Sequence, residues 1–177
     1  MTDGPLIGGR EDVVVEIVDH RAEWAERFAV ERDRISAALG DRVRRIEHIG
    51  STAVPGLAAK PVVDVMITVD DVDDETRYLD DLLAAGYELR VREPGHRMVR
   101  TSARDVHVHV WPADSDDEHR HLAFRDRLRA NVADRAEYER VKRALAGPYR
   151  DGNDYADAKT DVITRIVARA ADDPTTC

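Results

Sequence analysis

The sequence predicts an α+β fold, in which a mixed β-sheet of about five strands lies behind an N-terminal helix and is closed by a helical C-terminal third. Three observations favour this architecture. The β-branched run Pro61–Val69 is typical of a central strand that is buried on both faces. Between Tyr87 and Trp111, polar and apolar residues alternate with a period of two, which indicates strands. Beyond Pro112, apolar residues recur at helical spacing.

The strands are predicted from alternation or from short apolar runs between turn residues. In chain order they are Val13–Val18 (a strand or an extended entry segment), Val43–Gly50, Pro61–Val69, Tyr87–Glu93, His96–Ser102 and Asp105–Trp111. The short turn at Ala103-Arg104 joins the last two, so we expect them to form a β-hairpin.

The helices are predicted from apolar residues at helical spacing with charged residues between them. The first is Arg21–Leu39, which Gly40 ends, and the second is Asp70–Gly86, whose acidic start favours a helix N-terminus. Three amphipathic helices with acidic starts complete the chain: Ser115–Asn131, Asp134–Gly147 and Asp154–Ala171.

The length of 177 residues favours one domain with a core large enough to fold unaided. We expect residues 1–12 to form a flexible leader, 13–171 the domain and 172–177 a frayed tail. No apolar run approaches the ~20 residues of a membrane helix, and the N-terminus does not resemble a signal peptide. These features predict a cytoplasmic protein without a membrane partner. The single cysteine, Cys177, excludes an intrachain disulfide and a cysteine-based metal site.

The formal net charge of −9 combines 24 Asp and 12 Glu with 24 Arg and 3 Lys. An Asp-rich, Lys-poor surface suits a high-salt cytoplasm and predicts a halophile, although a GC-rich genome also favours arginine over lysine. The acidity argues against a broad nucleic-acid surface but leaves room for a local basic pocket. In a chain that avoids lysine, Lys60, Lys142 and Lys159 are candidates for specific roles.

A Gly-Ser-Thr turn, Gly50-Ser51-Thr52, follows the strand that ends near Ile49. Glycine lets the backbone approach a ligand closely, and backbone N–H groups with hydroxyls at such a turn can hold a phosphate. An ordinary strand-to-loop turn would have the same sequence, so both interpretations stay open.

Asp64 is a lone carboxylate within the apolar run PVVDVMITV. Burying a carboxylate without a partner costs several kcal/mol, on the order of the desolvation penalty of an ion. Asp64 must therefore face a polar cleft, a cation or a hydrogen-bond network. Two roles compete: a metal-binding or catalytic carboxylate, and a structural acceptor of amides from the preceding loop.

Two histidines, His107 and His109, are two residues apart on a predicted strand and so point to the same face. If this strand lies near that of Asp64, two imidazoles and a carboxylate converge as ligands for a divalent ion or as acid–base groups. The alternative is the solvent-facing side of a hairpin. We expect His119 and His121 to lie on the surface, although their closeness in sequence keeps them as candidates, and we assign no role to His96 or His20.

The stretch HIGSTAVPGLAAKPVVDVMI, His48–Ile67, closely resembles the signature of the GrpB-like family, a branch of the nucleotidyltransferase superfamily. Later segments resemble the same family in the same order, namely DVHVHVW, HLAFRDRLRAN, EYERVKRALA and YADAKTDVI. The resemblance extends from Val14 to Ala170 and implies a nucleotidyltransferase-like fold. The family also occurs fused to dephospho-CoA kinase domains, which implies a link to nucleotides or to CoA metabolism.

In active nucleotidyltransferases, a Gly-Ser turn precedes acidic residues that hold two Mg²⁺ ions and align a nucleoside triphosphate. Ile49-Gly50-Ser51 matches the turn, and Asp64 matches the first acid. Two residues later stands Met66, which cannot bind Mg²⁺, and the later strand offers His107 and His109 instead of an acid. The resemblance thus implies an incomplete acid set, which suits Mn²⁺ or Zn²⁺ better than Mg²⁺, or no metal.

Three functions compete on these residues. The first is a nucleotidyl- or phosphotransferase-like enzyme, with Asp64 and Ser51 as catalytic residues, a divalent metal, and the phosphates of a nucleotide held by Gly50-Ser51-Thr52, Lys60 and Lys159. The second is an inactive module that binds a nucleotide or another small phosphate-containing ligand. The third is a scaffold whose C-terminal helices bind a protein partner.

Overall fold

Seven strands occur in residues 6–172, the part of the chain that the computed structural model describes. They are β1 (Val13–Val15), β2 (Arg45–Ile49), β3 (Val63–Val69), β4 (Tyr87–Glu93), β5 (His96–Thr101), β6 (Val106–Pro112) and β7 (Gly147–Tyr149). Strands β2 to β6 form one sheet in the order β2-β3-β6-β5-β4, in which β3 and β6 are parallel and the other neighbours antiparallel. The mixed five-stranded sheet and the β5–β6 hairpin confirm the predictions.

The helices are α1 (Glu23–Leu39), α2 (Leu79–Ala84), α3 (Asp116–Ala130), α4 (Val132–Ala144), α5 (Gly152–Asp157) and α6 (Thr160–Asp172). The N-terminal helix and the helical C-terminal third are therefore confirmed, and the fold class is α+β. In residues 6–172, no helix combines the length and the apolarity that a membrane crossing requires.

Two predicted helices differ from those observed. The first turns of the predicted helix Asp70–Gly86 are not α-helical, because the Asp71 carboxylate accepts hydrogen bonds from the N–H groups of Asp73 and Asp74 and forms a local turn. The predicted helix Asp154–Ala171 is divided into α5 and α6 by a turn at Ala158-Lys159. No Gly or Pro in that segment marks this break.

The two faces of the sheet differ because successive residues of a strand point in opposite directions. On one face, Val63, Val65 and Ile67 of β3 pack with valines of β6 against α1 and α2. This face holds the larger apolar core. The other face carries Asp64 and the histidines of β6, and the C-terminal helices lie over it.

A second apolar cluster joins the C-terminal helices to the loop between β2 and β3. Phe124, Leu128, Tyr138 and Ile166 pack there with Val54 and Leu57 of the loop. This cluster packs the C-terminal helices against the loop that follows the Gly-Ser turn.

Residues 6–12 of the predicted leader lie along the sheet. Leu6 pairs with Val91 of β4, and Arg90 donates hydrogen bonds to the carbonyls of Ile7 and Gly9. Glu11 forms a two-hydrogen-bond ion pair with Arg100 of β5. Residues 1–5 of the leader and 173–177 of the predicted tail lie outside the described residues, and the mobility of both ends stays a prediction.

Candidate functional site

A cavity of about 680 Å³ lies between the second face of the sheet and the C-terminal helices. Asp64, His107 and His109 line it on the sheet side, together with Gly50 and Ser51 of the turn. Aromatic and aliphatic residues of the helices line the opposite side: Phe124, Tyr138, Tyr155, Ile163 and Val167. Its size is that of a pocket for a small organic ligand.

The parallel pairing of β3 with β6 places Asp64 directly beside His107. Oδ1 of Asp64 is 3.6 Å from Nδ1 of His107 and 3.8 Å from Nε2 of His109. One donor atom from each residue fits within a set whose members are all within 4.8 Å of one another. The predicted convergence of these three side chains is confirmed, whereas metal binding by them stays a prediction.

The Asp64 carboxyl group is favoured in its ionised form. Burial opposes ionisation, but His107 and His109 outweigh it and hold the pKa of Asp64 below its ordinary value. In the loop before β3, the N–H groups of Ala53 and Val54 bond to the carbonyls of Gly50 and Ser51. The imidazoles therefore favour the ionised form of Asp64 when they donate hydrogen bonds to it.

These three side chains offer one carboxylate oxygen and two imidazole nitrogens within reach of a single ion. All three are partly accessible from the cavity, with 22% to 30% of each side chain exposed. Such a mixed N,O donor set fits Mn²⁺ or Zn²⁺ better than Mg²⁺, which prefers oxygen ligands.

Gly50 is required by its close approach to Asp64. Its φ of 69° lies in the region that glycine favours, and a Cβ at this position would be 2.5 Å from Oδ2 of Asp64. The half-buried Ser51 follows at the start of a short 3₁₀ turn and lines the cavity. The Thr52 hydroxyl is hydrogen-bonded to Nε2 of the buried His48 at 3.0 Å.

All three lysines of the chain line the cavity. Burial lowers the pKa of Lys60 and lowers that of Lys159 to about 8, although the Asp64 charge opposes both shifts. The Lys159 ammonium lies 4.1 Å from the ring centroid of Tyr155. The expectation that Lys60 and Lys159 face the site is therefore confirmed.

Lys142 was a candidate only through the scarcity of lysine, and it is the most buried of the three. Its ammonium donates a hydrogen bond to the carbonyl of Ala58, and burial lowers the pKa of Lys142 to about 7. Within residues 6–172, none of the three lysines forms a salt bridge with an acidic side chain. Lys60 and Lys159 are half-buried and open to the cavity, whereas Lys142 is enclosed.

A stack of rings borders the metal-ligand candidates. His96, His109 and Trp111 lie nearly parallel, with interplanar angles of 6° to 15°, and His121 also stacks on Trp111. The surface position expected for His121 is wrong, because it is half-buried and lines the cavity, while His119 is exposed as expected. The sequence contained no signal for a role of His96, since that role depends on the register of β5 with β6.

Met66 lies on the same face of β3 as Asp64, two residues along the strand. It is fully buried with Ile49 and Trp111 in a small apolar cluster. The position where the superfamily resemblance implies a second acid is therefore closed to a metal ion.

Residues 14–169 match the family described as GrpB protein. The chain is 57% identical over 171 residues to a UPF0157 protein of Streptomyces coelicolor, covering 96% of this chain and 91% of the relative. It is 31% identical over 163 residues to a dephospho-CoA kinase of Mycolicibacterium paratuberculosis, a match that spans 73% of this chain but 39% of that protein.

Among solved structures, the crystal structure of the conserved protein GrpB from Enterococcus faecalis superposes with a TM-score of 0.74 at 32% sequence identity. The match covers 88% of this chain and 96% of the other. The similarity therefore extends over most of both chains. On this agreement of sequence and structure, the chain belongs to the GrpB family.

Proposed function

We propose that the protein binds a nucleotide or another small phosphate-containing ligand in the cavity, together with one divalent metal ion, and transfers a nucleotidyl or phosphoryl group. The observation that carries this proposal is that one cavity contains both the Asp64–His107–His109 donor set and all three lysines of the chain. In a protein of net charge −9, this is a local basic pocket beside a candidate cation site.

Asp64, His107 and His109 would hold the metal. A divalent ion bound there would act as a Lewis acid that neutralises charge on a phosphate and lowers the pKa of an attacking hydroxyl. Asp64 keeps its negative charge for this purpose, and Gly50 gives it space on one side.

The lysines would hold the phosphates. Three ammonium groups without carboxylate partners repel one another, and burial weakens each of them. An anion with several negative charges would relieve both costs, because it is attracted to all three. Ser51 and the N–H groups of its turn lie within the same cavity and would supply neutral donors.

The base or acceptor group of the ligand would occupy the apolar side. Phe124 offers aromatic surface there and Ile163 with Val167 offers aliphatic surface, whereas the rings of Tyr138 and Tyr155 lie beside the ammonium groups of Lys142 and Lys159. An amphiphilic ligand, with a phosphate near the lysines and an apolar group against Phe124, Ile163 and Val167, matches this lining.

A second function, binding without catalysis, is favoured by Met66. Since a methionine fills the second acid position, the site has one carboxylate and accommodates one metal rather than two. A nucleotide-binding module would keep the lysines and the Gly-Ser turn while losing turnover. The third function, a scaffold for a protein partner, stays a prediction, as do the cytoplasmic location and the halophilic source.

A thermal-shift panel tests the proposal at high salt, with nucleotides and CoA precursors each combined with Mn²⁺, Zn²⁺, Mg²⁺ or a chelator. CoA precursors belong in the panel because some relatives are dephospho-CoA kinases. A true ligand must raise the melting temperature, since it binds only the folded state. Asp64→Asn should abolish the metal-dependent rise, and the exposed Asp80→Asn is its matched control. If no phosphate-containing ligand shifts the wild type, the proposal is wrong.

Turnover separates the two candidate functions. The ligand identified in the panel is incubated with protein, Mn²⁺ and candidate hydroxyl acceptors, and phosphate or pyrophosphate release is measured. Release that Asp64→Asn eliminates supports the transferase. Binding without release, in the presence of the metal, supports the module.

A further inference from the structure

A chain of three side chains leads from Asp64 to the edge of the sheet. Nε2 of His109 faces Asp64 at 3.8 Å, and Nδ1 of His109 lies 3.1 Å from Nε2 of His96. Nδ1 of His96 in turn lies 2.6 Å from Oε1 of Glu93. These residues come from the neighbouring strands β6, β5 and β4, so the sheet itself sets the spacing.

The chemistry of each link determines where the protons lie. An ionised Glu93 only accepts, so Nδ1 of His96 must donate to it. A neutral His96 then has a bare Nε2, which accepts a hydrogen bond from Nδ1 of His109. In this neutral form the remaining nitrogen of His109, Nε2, carries a lone pair directed toward Asp64, so a cation between the two would replace the hydrogen bond that a protonated His109 gives to the carboxylate.

We propose that Glu93 and His96 are positioning residues that keep the proton of His109 on Nδ1 and so present Nε2 as a ligand to a divalent metal beside Asp64. This inference rests on the proposed metal site and specifies how that site is prepared. It also assigns a role to His96, which lies outside the three candidate ligands.

Ring packing holds the same geometry. His96 and His109 lie side by side in nearly one plane, with 9° between them, and both pack nearly parallel to Trp111. His109 therefore cannot turn without breaking a stack and a hydrogen bond at once. His107, by contrast, meets His109 edge-on at 76° and is outside this stack.

The metal ligand that this arrangement prepares is a neutral imidazole oriented by a carboxylate through a second imidazole. Outer partners of this kind raise the basicity of a ligating histidine and fix its ring, and their loss costs about 10- to 100-fold in metal affinity. The effect favours ions that bind nitrogen well, such as Zn²⁺, over Mg²⁺.

The first test reads the tautomer in the metal-free protein. Long-range ¹H–¹⁵N spectra report which ring nitrogen of a neutral histidine carries the proton, and the His109→Gln spectrum identifies the His109 signals. We expect the Nδ1–H form in the wild type and the loss of this preference in His96→Phe, which keeps an aromatic ring in the stack. An Nε2–H form of His109 in the wild type would overturn the inference.

The second test measures Zn²⁺ affinity by competition with a chromophoric chelator. We expect His96→Phe to bind about 10- to 100-fold more weakly than the wild type. His96→Gln, whose side-chain oxygen can accept from Nδ1–H, should regain part of the loss. A packing role alone predicts the opposite order, because Phe preserves the stack and Gln does not. The exposed His119→Phe is the matched histidine control and should bind like the wild type.

Glu93→Ala should weaken Zn²⁺ binding less than His96→Phe, and Glu88→Ala, an exposed acid on the same strand, should leave it unchanged. If the wild type binds Zn²⁺ and Asp64→Asn abolishes binding while His96→Phe does not weaken it, this inference alone fails. If the wild type does not bind Zn²⁺, the proposed metal site fails as well. Melting curves of each metal-free variant confirm that it is folded.

Discussion

On one face of the sheet, Val65 and Ile67 are fully buried against α1 and α2, while on the other face the neighbouring Asp64 is partly open to the cavity. The same strand, β3, supplies both faces through alternate residues. The two faces of the sheet therefore contribute differently to the free energy of folding. Burial on the first face removes apolar surface from water and so stabilises the fold, whereas the second face keeps charged groups whose partial burial costs free energy.

The largest effect is expected on the apolar face. Ile67→Ala should lower the free energy of unfolding by about 2–5 kcal/mol, because it leaves a cavity at a fully buried site. The ligand-induced shift in melting temperature should remain, since Ile67 points away from the site. Urea unfolding measures the loss, and the exposed Val14→Ala is the control. If Ile67→Ala abolished the ligand-induced shift as well as lowering the free energy of unfolding, the two faces would not act independently.

The second-largest effect is expected for Lys142 on the cavity side, where a buried positive charge lowers the free energy of unfolding. The folded-state pKa of Lys142 is about 7, below its ordinary value of 10.5, so from neutral to alkaline pH the unfolded chain holds a proton that the folded chain lacks. Stability must therefore rise with pH across this window, by about 2 kcal/mol between pH 7 and 9 from this group. The rise should be smaller by that amount in Lys142→Met.

Denaturant unfolding at several pH values measures this difference. Lys60 and Lys159 also have lowered pKa values and contribute a rise of the same sign, which remains in the variant. Only the difference between wild type and Lys142→Met reports on Lys142. Equal slopes in the two proteins would show that the amine is solvated and charged in the folded state.

A smaller effect is expected for phosphate affinity. Lys159→Met should weaken binding of pyrophosphate with Mn²⁺ by about tenfold, which is the loss of one charge-assisted hydrogen bond. The salt dependence of binding should also decrease. Isothermal titration measures both, and Arg32→Met on the exposed side of α1 is the control for loss of a positive charge. Unchanged affinity would remove Lys159 from the proposed phosphate site.

The smallest expected effect is the change in stability when Asp64 loses its charge in the absence of metal. In the presence of a chelator, Asp64→Asn should change the free energy of unfolding by less than about 1 kcal/mol, or stabilise slightly, because a partly buried charge is removed. A structural acceptor of loop amides would instead lose about 1–3 kcal/mol. Thermal melting with a chelator distinguishes the two, with Asp80→Asn as the control. A destabilisation in the second range would contradict the metal role.

The positions of Asp64, His107 and His109 were predictable because alternation fixes the face of a residue within one strand. That β3 and β6 are direct neighbours was an additional assumption, since strand order depends on long-range packing. The role of His96 could not be predicted, because it requires the hairpin register that places Met98 opposite His109.

The helical conformation of the C-terminal third was predictable, but its position along one side of the cavity was not. The break at Ala158-Lys159, which separates α5 from α6, has no Gly or Pro to mark it. The scarcity of lysine was the one feature of the composition that pointed to residues of the site, and it pointed to Lys142 as well as to Lys60 and Lys159. The Met66 departure from the superfamily pattern is explained by its burial beside Trp111, a contact between two strands.

The confinement of every lysine to one cavity has a practical consequence for chemical labelling. Apart from the amino terminus of the chain, amine-selective reagents meet primary amines only at Lys60, Lys142 and Lys159. Burial lowers the pKa of Lys142 to about 7 and of Lys159 to about 8, so a large fraction of each amine is nucleophilic at mildly alkaline pH. Acylation followed by mass spectrometry thus becomes a footprint of cavity occupancy, in which a bound ligand would appear as protection of Lys60 and Lys159, whereas the buried Lys142 should react slowly with or without a ligand.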